Sequence, residues 1–208
     1  MGQSVIWVAI DDRLAAFLTV ADEEKPGARE AVEHLRRLGL QIVMVTGDAL
    51  APARAIAGRV GIENVVAGAR PEQKETAVRE AQATGARVAM VGDGINDAPA
   101  LARADVGIAL SGGTDIALEA ADVTLVHGDL AGVARAIDLS RATMRTIRQN
   151  LFWAFFYNVA LIPIAAGALH NVRSLPLILR DLHPALAAAA MALSSVTVVT
   201  NSLRLGRR

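Results

Sequence analysis

The stretch Val88–Leu101 reads VAMVGDGINDAPAL. An apolar run enters Gly92-Asp93-Gly94, and Asn96 and Asp97 follow at once. Gly92 and Gly94 carry no Cβ, so backbone there can approach a bound group closely. A helix opening after Ile95 would aim free N–H groups at the same place, which suits an anion. Asp93 brings negative charge to that spot, and two anions side by side need a cation. A hard divalent ion with oxygen ligands, Mg²⁺, resolves the conflict. Thr46, in VTGD, offers a hydroxyl and backbone N–H groups to phosphate oxygens. Lys74, in RPEQK, supplies the fixed positive charge that phosphoryl transfer needs. A single Gly-Asp-Gly is usually a turn, and a single lysine usually a solvated side chain. The order threonine, lysine, glycine-aspartate, each at the end of an element, is the stronger signal.

The elements that must hold these groups are legible in the pattern. VIWVAI and LAAFLTV read as two short strands joined by a turn at DDR. Pro26 opens a helical pattern that stops at Gly39. LQIVMVTGD reads as a buried strand ending in a polar turn, APARAIAGRVG as a short helix and NVVAG as a short strand. RPEQKETAVREAQATG is a helix with Pro71 at its start, RVAMVGDG another buried strand and NDAPALARA the next helix. VGIAL and VTLV are two further strands. Apolar strands alternating with helices predict a parallel sheet covered on both faces. Chemistry in such sheets sits at the carboxyl ends of the strands, where TGD and GDGIND both fall.

From Asp129 the pattern changes. DLAGVARAIDLSRATMRTIRQN is helical, with Asp129 as N-cap, and no breaker separates it from LFWAFFYNVALIPIAAGAL. Residues 151–169 and 183–203 hold no Asp, Glu, Lys or Arg. Each run is about the length that spans a bilayer. The aromatic residues crowd into Phe152–Tyr157, as at a membrane interface. Arg141, Arg145 and Arg148 precede the first run and Arg204, Arg207 and Arg208 follow the second, which predicts two cytoplasmic flanks. Met191 and Ser195 share a helix face; a lone Met in an apolar helix usually fills a packing gap, though its soft thioether also suits Cu(I). Tyr157 and Asn158 are polar groups inside the first apolar run, where such groups are costly and often functional.

The 208 residues carry 21 basic and 21 acidic side chains, so no charge excess points to nucleic acid. Hydrophobic residues reach 53%, most of the excess lying after residue 150. There is no cysteine, which excludes disulfides and thiolate metal sites. The first fourteen residues have no basic region and too short an apolar run for a secretion signal.

TGD at 46–48, RPEQK at 70–74 and VGDGINDAPALARADVGIAL at 91–110 closely resemble the phosphorylation domain of P-type ATPases, a haloacid-dehalogenase-like fold. The two apolar runs are similar to the last two membrane helices of the copper-transporting, heavy-metal class. The resemblance implies an α/β, doubly wound parallel sheet followed by a two-helix transmembrane hairpin. It implies an end of the nucleotide domain at 1–20, a phosphorylation domain at 21–128 and a cytoplasmic helical stalk at 129–150. It places membrane helices at 151–170 and 184–203, an external loop at 171–183 and a cytoplasmic tail at 204–208. By the same resemblance Asp93 is a magnesium ligand with Asp97 beside it, and Asn96 and Asp97 organise the phosphorylated site. Gly92 and Gly94 make room for the bound group. Thr46 and Gly47 contact phosphate, Asp48 is their hinge-side partner, and Lys74 contacts the phosphoryl group. Asp22 and Pro26 match the segment that re-enters this domain. Tyr157, Asn158, Met191 and Ser195 line the site of the transported Cu(I), from which Ag(I) is not distinguished. ATP and Mg²⁺ are the implied cofactors and a bacterial plasma membrane the implied location, with both ends cytoplasmic.

The sequence departs from the family in two ways. Ala49 stands where the family usually has Asn after TGD. The acceptor motif Asp-Lys-Thr-Gly, the actuator Thr-Gly-Glu and the Cys-Pro-Cys metal site do not occur in these residues. The chain is therefore expected to be the C-terminal part of a pump, inactive alone, or one half of a split pump that pairs with a separately encoded N-terminal half. A non-catalytic relic is one alternative. A soluble haloacid-dehalogenase phosphatase is another, and it would need its nucleophile from VAIDDRLAA, where Arg13 and Ala15 break the required Asp-x-Asp-x-Thr pattern.

Overall fold

The computed structural model describes residues 4–20, 23–93, 95–110, 115–170, 176 and 184–207. Two compact units divide the chain, Met1–Ala136 and Ile137–Arg208.

The first unit opens with the expected hairpin. β1 (Ser4–Ile10) and β2 (Arg13–Val20) pair antiparallel, with an irregularity between Val8 and Ala9. The turn residues Asp11 and Asp12 both have positive φ, 49° and 60°. A two-residue hairpin turn that matches strand twist requires this, and Asp tolerates it better than most residues. The phosphatase reading needs its nucleophile at this position, but the turn is the tip of an antiparallel ribbon and not the end of a parallel strand.

α1 (Ala28–Arg37) follows, its apolar stripe Ala28, Ala31, Val32 and Leu35 buried at helical spacing. Gly39, at φ 80°, takes the chain out of the helix. β3 (Val43–Val45), α2 (Leu50–Val60) and β4 (Asn64–Val66) form one strand–helix–strand crossover, with β3 and β4 parallel. α3 (Pro71–Ala83) begins with Pro71, whose missing N–H costs nothing in a first helical turn. β5 (Ala89–Gly92), β6 (Val106–Leu110) and β7 (Val123–Leu125) make a parallel three-stranded sheet in chain order. α4 (Ala98–Arg103) crosses from β5 to β6, and α5 (Asp115–Ala120) from β6 to β7. The pattern reading left α5 unassigned.

The α/β architecture with parallel strands is as expected. The strands differ in being short and in falling into a pair and a triple among the described residues. β3 pairs with β4 alone among the described residues, and Val43, expected in a buried strand, is 52% exposed. One core joins Ala28, Val32 and Val60 with Ile42, Met44, Ile62 and Leu130. Elsewhere in the unit Val78, Ala100, Leu101, Ile108 and Ala109 are buried, with α3 against α4 and α4 against β6.

α6 (Leu130–Ala165) has 36 residues, about 54 Å of helix. Asp129 caps it as the sequence suggests, its Oδ1 accepting the Gly132 N–H at 2.7 Å. In the second unit α7 (Pro184–Leu203) joins α6 through a polar cluster. The Asn150 amide donates to Ser202 Oγ at 2.9 Å, and the Asn201 amide donates to Asn150 Oδ1 at 2.8 Å and to Gln149 Oε1 at 3.2 Å.

The expected membrane hairpin needs correction here. Among the described residues no helix is long and apolar enough to cross a membrane. The first apolar run does not stay helical to residue 170. Pro163 lies near the end of α6, which stops at Ala165, and Gly167 at φ 86° closes it. The apolar part from Leu151 to Ala165 is about 22 Å long, against the ~30 Å of a hydrocarbon core. α7 has 20 residues, but its last two turns carry Thr197, Thr200, Asn201 and Ser202. The expected external loop at 171–183 falls outside the described residues apart from Pro176.

Candidate functional site

β5 ends at Gly92, and the chain turns through a single 3-10 turn, Ile95–Asp97, into α4. This short turn folds Asp97 back over the strand end. Its side chain lies against Gly92, where a Cβ would sit 2.7 Å from the Asp97 Cβ and 2.8 Å from its Oδ2. Real Cβ atoms do not approach so closely, so only glycine fits at 92. Asp97 is buried, at 7% exposure. Its Oδ2 accepts the Asp93 N–H at 3.3 Å and its Oδ1 accepts from Lys74 Nζ at 2.6 Å. The lysine and aspartate side chains are 16% and 11% exposed, so water screens the pair weakly. Asp93 and Asn96 are exposed beside it. Gly94 lies outside the described residues.

Lys74 reaches this turn because α3 starts in the right place. The Arg70 N–H donates to Gln73 Oε1 at 2.8 Å, which satisfies a backbone donor at the helix start. Lys74 follows one turn into the helix.

The Thr46–Asp48 loop is a second hydrogen-bonded unit, at the end of β3. Thr46 Oγ1 donates to Asp48 Oδ2 at 2.7 Å and accepts the Asp48 N–H at 3.2 Å. Two backbone bonds fix the loop to the segment before α3: the Gly68 N–H donates to Asp48 O at 2.7 Å and the Ala69 N–H to Thr46 O at 2.9 Å. The same segment therefore anchors the threonine loop and launches the helix that carries Lys74. Ala49, at the N-cap of α2, provides no side-chain cap, so the departure from the family pattern leaves that helix start bare.

The structure brings together Gly92, Asp93, Asp97 and Lys74 and ties Thr46, Gly47 and Asp48 to the same helix. It also adds Lys25, which the pattern reading passed over. Lys25 Nζ lies 4.0 Å from Asp93 Oδ2, with both side chains more than half exposed. A signal for it was present: the chain has only two lysines, Lys25 and Lys74, among 21 basic residues, and both face this turn.

Among the described residues no group of three or more His, Cys, Asp or Glu could hold a metal. Mg²⁺ does not need one, since it is commonly held by one or two carboxylates with water and phosphate oxygens. Asp93 fits that role, because its carboxylate is exposed and, among the described residues, its ion-pair neighbour is Lys25 at 4.0 Å. Asp97 fits less well as a direct ligand, because both its oxygens already accept hydrogen bonds.

The four residues expected at the transported ion lie in the second unit. Tyr157 is half-buried in an aromatic cluster, its ring centroid 6.3 Å from Trp153 and 6.2 Å from Phe156. Asn158 is exposed and Met191 is 71% exposed. Ser195 Oγ donates to the Met191 carbonyl at 3.2 Å.

An α/β unit with parallel strands, a loop threonine, a helix lysine and a glycine-aspartate turn is the framework of the haloacid-dehalogenase class. The profile of haloacid dehalogenase-like hydrolases matches residues 2–105, and the chain belongs to that family. Within it, the chain is 59% identical over 204 residues to a probable copper-transporting ATPase, PacS, of Synechococcus elongatus, covering 98% of this chain and 27% of that protein. It is 52% identical over 206 residues to a copper-exporting P-type ATPase of Legionella pneumophila, covering 99% and 27%. Among solved structures, a zinc-transporting PIB-type ATPase superposes with a TM-score of 0.80 at 38% identity, over 98% of this chain and 32% of that one. The catalytic domain CopB-B of a CPx-ATPase superposes with a TM-score of 0.55 at 31% identity, over 63% and 53%. The chain thus spans about a quarter of the length of the curated relatives it matches.

Proposed function

We propose that these residues form the phosphorylation-site region and the last helical hairpin of a P-type ATPase that exports Cu(I), or Ag(I), across a bacterial plasma membrane. The observation that carries this reading is the part-buried Lys74–Asp97 pair, its aspartate packed on Gly92, beside the exposed carboxylate of Asp93. Lys74 provides a fixed positive charge where a phosphoryl group must be neutralised. Asp97 holds that lysine and orients the Asp93 backbone. Thr46 Oγ1 and the loop amides at Gly47 contact phosphate oxygens, and Asp48 sets the rotamer of Thr46. Asn96, exposed in the 3-10 turn, is the remaining polar group of this segment. Asp93 would hold Mg²⁺, which, when bound, neutralises charge on the phosphoryl oxygens. ATP is the phosphoryl donor. These residues contain no Asp-Lys-Thr-Gly sequence, so the acceptor aspartate belongs to further chain, either covalently continuous or a separately encoded N-terminal half.

The copper assignment rests on the second unit. Residues 151–169 and 183–203 hold no Asp, Glu, Lys or Arg, and Met191 offers a soft neutral ligand, as Cu(I) prefers. Asn150 and Ser202 join the helices, and Tyr157 and Ser195 each lie seven residues from that junction, about 10 Å along their own helices. The membrane reading is supported by exposed apolar side chains along both helices. Phe152, Phe155, Val159, Ile162, Leu193 and Val196 are each 59% exposed or more.

A complete pump containing this segment tests the proposal. Asp93→Asn should abolish phosphoenzyme formation from ATP. Met191→Ala should lower Cu(I)-stimulated ATP hydrolysis while leaving phosphorylation by inorganic phosphate intact. Normal phosphoenzyme in Asp93→Asn would overturn the site. Unchanged copper stimulation in a Met191→Ala/Asn158→Ala double variant, or better activation by Zn²⁺, would overturn the ion.

A further inference from the structure

Arg141, Arg145 and Arg148 lie at spacings of four and three on α6, so they share one face of the helix. The same face continues into Phe152, Phe155 and Phe156, one to two turns further on. Successive steps of about 100° per residue place all six side chains within a sector roughly 100° wide. All three arginines are exposed, and the three phenylalanines are 60%, 60% and 50% exposed. Asn150 lies on the opposite side of the helix, where it bonds Asn201 and Ser202 of α7. The contact with α7 therefore leaves the arginine–phenylalanine face uncovered by that helix.

Two open cavities meet here. One, of about 630 Å³, is lined by the three arginines together with Phe152 and Trp153. Its neighbour, of about 410 Å³, is lined by Arg204, Asn201 and the same Trp153. Gln149 and Trp153 line both cavities. The only acidic residue in α6 is Asp138, one turn before Arg141, and α7 has none. Asp138 and Arg141 each have a partner, and nothing acidic on either helix follows Arg145 and Arg148 toward the aromatic segment.

We propose that this face is a binding site for anionic phospholipid, with the arginines on the headgroup phosphate and the phenylalanines against the first part of the acyl chains. The inference rests on the membrane reading above but specifies a lipid class that the reading does not. Charge complementarity fixes the occupant. A soluble anion would use the arginines and leave the aromatic face in water, whereas a bilayer of anionic lipid satisfies both in the order in which the helix presents them. Arginine suits phosphate because its planar guanidinium donates two parallel hydrogen bonds.

The test uses the full chain and flotation with two vesicle types, phosphatidylcholine alone and phosphatidylcholine with phosphatidylglycerol. The chain should bind both, with a clear preference for vesicles containing phosphatidylglycerol. That preference should fade as salt rises from about 0.1 to about 1 M, because the screening length falls. Replacing the three arginines (Arg141→Gln, Arg145→Gln, Arg148→Gln) should weaken binding to anionic vesicles by roughly 100-fold and leave binding to neutral vesicles unchanged. All three side chains are exposed, and an unaltered circular dichroism spectrum will confirm that the fold survives. Equal binding to both vesicles, or full preference retained by the triple variant, overturns the lipid site and leaves the membrane reading standing. Failure to bind either vesicle overturns both.

Discussion

Asp97 packs so closely on Gly92 that no Cβ fits at position 92. A methyl group at 92 would fall 2.7 Å from the Asp97 Cβ. Gly92→Ala should therefore push Asp97 away from Lys74 and destabilise the first unit by about 1–3 kcal/mol, the usual range for overpacking. A urea melt reads this, and an unchanged midpoint would mean that the turn has slack. The lysine–aspartate pair makes a second prediction. Removing one partner leaves the other charge buried and uncompensated, which costs about 3 kcal/mol for well-buried pairs and somewhat less at 11–16% exposure. Lys74→Ala and Asp97→Asn should each destabilise strongly, and the double variant by clearly less than their sum, with a coupling of about 1–3 kcal/mol. Additive effects would mean that the two groups do not support each other.

At the scale of elements, β5 and β6 are held at their starts by a carboxylate. Asp105 Oδ2 accepts the Val88 N–H at 2.8 Å and the Gln82 amide at 3.1 Å. The Val88 N–H chiefly, and then the Gln82 amide, hold the Asp105 carboxyl below its usual 3.8. A depressed folded-state pKa stabilises the fold above the unfolded value and loses that effect as pH falls through the folded value. The contribution is thus complete at neutral pH and disappears in acid below about 3.8. Asp105→Ala should lower the urea midpoint at pH 7, and the gap to the parent should close as the pH drops through that window. A gap that persists in strong acid would show that packing, not charge, is responsible. A parallel device serves β6 further on, where the Gly107 N–H donates to Asp122 Oδ2 at 2.8 Å.

For the whole molecule, the sequence holds a candidate phosphate site and no Asp-Lys-Thr-Gly acceptor motif. Asp11 and Asp12 at the hairpin tip are the carboxylates nearest to a nucleophile pattern, and their positive φ and antiparallel setting suit a turn. Incubated alone with labelled ATP and Mg²⁺, the chain should give no acid-stable phosphoenzyme on an acid gel. A labelled band lost in Asp11→Asn would revive the phosphatase alternative. The chain divides at Ala136 and Ile137, and under the proposed function the phosphate site and the ion site fall in different units. Phosphate-site variants and ion-site variants in a complete pump should therefore affect different partial reactions.

Periodicity and punctuation made most of the first unit legible. Gly39, Gly61 and Gly85 end helices with positive φ, and Pro71 starts one, because these residues fix the backbone locally. The candidate phosphate site was legible too, since its groups sit at element ends where sequence motifs are short and contiguous. α5 was missed: only six residues long, it gives too little periodicity to register. The extent of the apolar helices was misjudged, because hydropathy counts residues, whereas Pro163 and Gly167 decide where α6 stops being a helix. Contacts between residues far apart in sequence belonged to tertiary structure alone. Lys25 against Asp93, Asp97 against Gly92 and Lys74, and Asn150 against Asn201 and Ser202 depend on how elements pack. A linear pattern specifies each element's own geometry, but only three-dimensional packing determines which side chains meet across 23 or 52 residues of chain.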